Sequence, residues 1–116
     1  MIAVIFEFEP DPEHREEYFD VAGELRPLLD EVDGFVSIER FESLTTPGKT
    51  LSLSFWRDEE AVRAWRNTEE HRKAQAKGRA RLFQGYRLRV ASVLRDYSLD
   101  DTTGGPEDSK LFHNKQ

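Results

Sequence analysis

Trp65 and His71 are the side chains in this sequence best suited to chemistry on a small aromatic molecule. An indole offers a broad π face and one N–H donor. An imidazole accepts a proton near neutral pH and can take one from a phenol. On a continuous helix six residues turn through about 600°, which leaves the two rings out of line. Between them stands Asn67-Thr68-Glu69-Glu70, which reads as a fresh helix start. A helix that breaks and restarts there can bring the rings together. The plainer alternative is a core tryptophan and a surface histidine. Beyond Trp65 the helical face reads His71, Ala74, Gln75 and Gly78, all small or polar. A helix packed only on core more often places Leu or Ile there, so room is expected beside the pair. Phe55, Trp56, Phe83 and Tyr86 are the aromatic residues expected to wall that room, with Gln75 as a polar contact.

Other chemistries find little support. The chain has no cysteine, which excludes disulfides and thiolate metal sites. His14, His71 and His113 are scattered, so no multi-histidine metal site is expected. There is no glycine-rich phosphate loop, no G-x-S-x-G and no H-E-x-x-H. The acidic residues gather at helix starts and on one helix face, as solvated charge and not as a paired acid and base. A net charge of -6 argues against nucleic acid as a partner. The apolar start, M-I-A-V-I-F, is too short for a signal peptide or a membrane span, so the expected location is the cytoplasm, with no membrane partner. From His71 to Arg95 there is no Asp or Glu, while Arg72, Lys73, Lys77, Arg79, Arg81, Arg87, Arg89 and Arg95 are basic. These either pair with an acidic helix, or form a solvated face, or make a rim that attracts an anionic or phenolate ligand.

The elements that must position the pair emerge from periodicity. A length of 116 residues fits one domain, and 37% hydrophobic residues make a thin core that a partner subunit can complete. Ile2 to Glu9 alternates as a strand with one fully apolar face. Asp11 is placed to cap a first helix, with Pro12 at its first position. Tyr18, Val21, Ala22, Leu25, Leu28 and Leu29 recur at helical spacing, Pro27 predicts a bend, and Asp33-Gly34 ends the helix. Phe35 to Glu42 and Thr50 to Trp56 form a hairpin across a Pro-Gly turn. On its second strand Leu51, Leu53 and Phe55 share one face, and Ser52, Ser54 and Trp56 the other. The serine face either lines a cavity or is lightly covered sheet. Asp58 caps the second helix. Gly85 to Tyr97 is a last strand, long enough to pair across a subunit boundary.

Residues 1–98 therefore form one domain and 99–116 a flexible tail, with Leu111 and Phe112 as its one apolar anchor. The order β-α-β-β-α-β is the ferredoxin-like, split βαβ pattern: an α+β fold with a four-stranded antiparallel sheet and helices on one face. The other face is expected to be covered by a second copy, which makes a homodimer.

The run S-F-W-R-D-E-E-A-V-R-A-W-R-N-T-E-E-H-R-K-A-Q-A-K-G-R, continued by Y-R-L-R-V-A-S-V-L-R-D-Y, resembles the antibiotic biosynthesis monooxygenase (ABM) domain family. The resemblance covers roughly residues 2 to 98 and implies a dimeric α/β barrel. One branch oxidises phenolic polyketides to quinones with O₂ and with no metal, flavin or haem, which implies no cofactor here. Trp65 matches the pocket tryptophan of that branch, His71 falls where a polar aromatic sits, and Ala61 replaces an asparagine one turn before the tryptophan. A second branch degrades haem. There this chain keeps Trp65, but has Gln75 at the histidine ligand position and Glu7 near a first-strand asparagine. The resemblance implies a cofactor-independent monooxygenase acting on a phenolic or quinol-like aromatic, with Trp65 holding the ring and the intermediate and His71 as base or hydrogen-bond partner. The alternatives are a protein that binds haem or another small ligand without turnover, with His71 as a substitute haem ligand, and a non-catalytic dimeric domain.

Overall fold

The computed structural model of the protein describes residues 1–77 and 83–114. Its elements are β1 (Ile2–Pro10), α1 (Arg15–Leu29), β2 (Phe35–Glu42), β3 (Thr50–Trp56), α2 (Glu59–Arg66), α3 (Glu69–Lys77), β4 (Phe83–Ser92) and α4 (Glu107–Asn114). The sheet runs β2-β3-β1-β4 with every neighbouring pair antiparallel. This is the ferredoxin-like α+β arrangement, with the second helix of the pattern split into α2 and α3. The sheet is open, so one chain does not close a barrel.

The period of two along β1 decides the layers. Val4 lies opposite Ser54 and Val90, and Phe6 opposite Ser52 and Leu88. Ile38 and Arg40 of β2 extend these two rows through Ser54 and Ser52. That face meets the helices. Leu29, Trp56, Ala61 and Trp65 form the buried cluster there, packed against Val4, Leu25, Ile38 and Val62. A second cluster is aromatic: Phe8 stacks on Phe6 at 4.8 Å and meets Tyr18 at 4.7 Å and Phe83 at 5.3 Å. The opposite face carries Ala3, Ile5, Leu51, Leu53 and Phe55. Glu7, also on that face, pairs with Lys49 and Arg89, each at 3.3 Å, and the Lys49 bond chiefly holds its carboxyl below the usual range.

Several expected boundaries move, each for a physical reason. Asp11 caps a turn and not the helix: its Oδ1 accepts from Glu13 N–H at 2.9 Å, its carbonyl accepts from His14 N–H at 2.9 Å, and α1 begins at Arg15. Pro27 lies inside α1 as expected, but the helix stops at Leu29 and tightens into turns through Val32 before Gly34 takes φ +92. β4 ends at Ser92, short of Tyr97, because Ser92 pairs with Ile2 and the Val93 N–H uses the Met1 carbonyl at 3.0 Å. No residue of β1 is left to pair with Leu94 and its successors. The segment expected to be irregular carries α4, whose Lys110 Nζ donates back to the carbonyl of Thr103 in the preceding turn at 2.9 Å. Leu111 is 59% exposed, and the side chain of Phe112 lies outside the described residues. No helix among the described residues is long and apolar enough to cross a membrane.

Candidate active site

The site is built at the junction of α2 and α3. Asp58, in extended conformation, caps α2 by accepting from Ala61 N–H at 2.9 Å. That bond, then Arg57, holds its carboxyl below the usual range. After two turns Thr68 ends the helix. Its Oγ1 donates to the Trp65 carbonyl at 2.9 Å and accepts from His71 N–H at 3.2 Å. One hydroxyl thus closes α2 and caps α3, satisfying backbone groups that every helix end leaves open. The change of direction brings the Trp65 and His71 rings to 5.1 Å between centroids with a 35° tilt. The break expected at Asn67-Thr68 is present, and it does what a continuous helix cannot.

His71 Nδ1 lies 3.5 Å from the Arg66 carbonyl, a long contact. A carbonyl only accepts, so the tautomer that uses this contact carries its proton on Nδ1 and keeps the Nε2 lone pair for a ligand. Burial pushes the imidazole below its ordinary pKa, and the charges of Arg72 and Arg66 reinforce the shift against the Arg66 carbonyl contact. At neutral pH the ring is therefore a neutral acceptor.

Beside the pair lies a cavity of about 280 Å³ between the sheet and the helices. Its floor is Val4, Phe6, Ile38, Arg40, Ser52, Ser54 and Trp56. Tyr18, Leu25, Trp65, His71 and Gln75 cover it from the helices, and Phe83, Tyr86, Leu88 and Val90 line the β4 side. Tyr86, Leu88 and Val90 are 57%, 55% and 48% exposed, so the cavity opens along β4. The serine face of β3 is thus the cavity floor. Ser54 also accepts the buried Trp56 indole N–H at 2.9 Å. That explains a hydroxyl where a core strand would carry a branched aliphatic residue.

Trp56, Trp65, His71, Gln75, Phe83 and Tyr86 therefore come together around one space. Phe55 does not. It pairs with Ala3 on the opposite face of the sheet, because successive strand residues alternate. Two liners, Tyr18 and Arg40, are not marked out by any motif. Arg40 Nε donates to Tyr18 Oη at 3.3 Å. Burial pushes the Tyr18 phenol above its ordinary pKa, with Arg40 opposing. The signal available was parity: Arg40 stands two residues from Ile38, so the two share a face of β2. The basic stretch is partly spent on internal contacts. Arg89 pairs with Glu7, and Arg72 donates to Gln75 Oε1 at 3.2 Å and Asn67 Oδ1 at 2.6 Å. Gly78, Arg79 and Arg81, with the side chains of Lys77 and His113, lie outside the described residues.

Known proteins resemble this chain in sequence and in fold. The profile of the antibiotic biosynthesis monooxygenase family matches residues 1–77. A Pyricularia oryzae protein named jasmonate monooxygenase ABM is 48% identical over 93 residues, which are 80% of this chain and 43% of that protein. This chain thus spans less than half the length of that relative. The Bacillus subtilis protein YqjZ is 30% identical over 86 residues, 74% of each chain. The structure of Rv0793 from Mycobacterium tuberculosis superposes with a TM-score of 0.74 at 22% identity, covering 84% of this chain and 98% of that one. A crystal structure of an antibiotic biosynthesis monooxygenase superposes with a TM-score of 0.68 at 18% identity, covering 80% and 98%; at such identities the likeness is one of fold. By its sequence match and its fold, the chain belongs to the antibiotic biosynthesis monooxygenase family.

Proposed function

We propose that this protein is a cofactor-independent monooxygenase acting with O₂ on a small phenolic or quinol-like aromatic. The observation that carries the reading is the indole–imidazole contact of 5.1 Å on the wall of a largely apolar cavity. The phenol ring stacks against Trp65, and His71 Nε2 takes the phenol proton. The phenolate is electron-rich and reduces dioxygen, which bonds to the ring carbon para to the phenolate oxygen. That carbon then loses its hydrogen as a proton while the O–O bond breaks. One oxygen stays as a quinone carbonyl, and the other leaves as water with protons returned through His71. Phenol plus O₂ gives quinone plus water, so the substrate supplies all the electrons. The apolar walls limit the water that reaches the peroxide stage.

The fungal relative, named a jasmonate monooxygenase, supports the monooxygenase class. A homodimer belongs to the same reading. The sheet face bearing Ile5, Leu51, Leu53 and Phe55 lies outside the core cluster and the cavity lining among the described residues, and a second copy laid on it completes the core.

Oxygen uptake measured with a panel of naphthols and hydroquinones tests the activity. Turnover that falls at least about tenfold in both Trp65→Phe and His71→Ala is expected, as for loss of a positioned base. No uptake with any phenol, or uptake indifferent to both changes, refutes it. Turnover of jasmonate alone moves the substrate to the fungal relative's class. A Soret shift on adding haem, lost in His71→Ala, assigns haem binding instead.

A further inference from the structure

We propose that Arg40 and Tyr18 form a carboxylate-binding end of the cavity, so that the ligand is an aromatic acid with its anionic group at Arg40 and its ring toward Trp65 and His71. The proposal rests on the cavity being the substrate site.

Two arginines line the cavity among the described residues: Arg66 on α2 is exposed, and Arg40 is the one on the floor. It lies opposite Ser52, whereas Phe35 lies opposite Trp56. Four residues of β3 separate the two rows, roughly 13 Å along the strand. Trp56 belongs to the same buried cluster as Trp65, and Tyr18 to the aromatic cluster around Phe8 and Phe83. The cavity therefore has an indole end and a guanidinium end, separated by about the length of a two-ring acid.

The guanidinium is half-buried and always charged. Among the described residues it has no carboxylate within ion-pair distance. Glu42, two positions along the same face of β2, is bound by Arg15 at 3.0 Å. The single bond to Tyr18 uses Nε and leaves the Nη donors unspent. The Tyr18 ring centroid, 6.0 Å from the guanidinium carbon, is at the outer reach of a cation–π contact. Charge held against apolar walls is costly without an opposite partner, and a guanidinium fork matches a carboxylate. Tyr18 completes the arrangement. It is 8% exposed, its oxygen already accepts from Arg40, and its own hydrogen remains to donate. Burial keeps that phenol protonated. Two kinds of donor thus converge on one side of a space whose other walls are mostly carbon.

The test is equilibrium binding without turnover, monitored by ligand fluorescence. The probes are a hydroxynaphthoic acid with its two groups at opposite ends of the fused rings, its methyl ester, and the parent naphthol. In the wild type the acid is expected to bind about tenfold or more tighter than the ester, as for a charge-assisted hydrogen bond. Arg40→Met removes that preference and leaves ester and naphthol within about twofold of their wild-type affinities. Tyr18→Phe, which keeps the ring, weakens the acid by about threefold to tenfold. If Arg40→Met does not fold by circular dichroism, Tyr18→Phe and Arg40→Lys decide. An acid that does not bind, binds no better than its ester, or keeps its preference in Arg40→Met overturns the proposal. Acid binding without oxygen uptake leaves the clamp standing and removes the monooxygenase reading. Phenol turnover without acid preference does the reverse.

Discussion

Replacing Thr68 by alanine tests whether one hydroxyl holds the candidate catalytic pair. Oγ1 makes two bonds, a donor bond to the Trp65 carbonyl at 2.9 Å and an acceptor bond from His71 N–H at 3.2 Å. Losing a helix cap costs about 0.5–2 kcal/mol. Losing a further backbone partner costs about 1 kcal/mol. The two losses share an atom and are not fully additive, so the expected total is about 2 kcal/mol. For a domain near this size that lowers Tm by roughly 6–12 °C, read by a circular dichroism melt. Thr68→Ser keeps the hydroxyl and is expected within about 0.5 kcal/mol of wild type. The functional readout is tryptophan fluorescence against pH. A protonated imidazole in contact with an indole quenches it, so wild type shows a step of quenching below the ordinary histidine pKa, and His71→Gln abolishes that step. In Thr68→Ala the rings part and the step shrinks. If Thr68→Ala melts like wild type with an undiminished step, the junction is not what holds Trp65 against His71.

His71 also gives stability a pH dependence. Burial lowers its folded pKa below the unfolded value of about 6.5, so the unfolded chain binds the proton first. Its contribution is complete above the unfolded pKa and is lost as pH falls through that value toward the folded one. Urea midpoints taken from about pH 7.5 down to pH 5 should fall less steeply in His71→Gln than in wild type. Gly34→Ala forces a side chain onto φ +92 and puts its Cβ 2.8 Å from the Ala61 methyl. A loss of about 2–3 kcal/mol is expected, and an unchanged urea midpoint would show that the turn relaxes freely. Ser54→Ala strands the buried Trp56 indole N–H and should cost about 1–3 kcal/mol, whereas Trp56→Phe combined with Ser54→Ala should cost less than the sum of the single changes in a double-mutant cycle.

What the amino-acid sequence determined alone was mostly local. β2 and β3 begin and end where alternation and the Pro-Gly turn place them, because pleating and turn chemistry act within a few residues. The Asp58 cap and the break at Thr68 were readable for the same reason: each bond spans three residues. Trp65 and His71 could be paired from that break. Tertiary structure decided the rest. Strand parity separates two faces but does not say which one the helices cover, so Phe55 fell outside the cavity and Ser52 and Ser54 became its floor. β4 stops where its partner β1 runs out, which no residue of β4 itself records. Arg40 and Tyr18 meet across 22 positions of sequence only because α1 packs over β2. Contacts of that kind depend on how whole elements dock. Each element's own sequence sets its shape, but the neighbour it meets is settled only when the apolar faces of all of them are buried together.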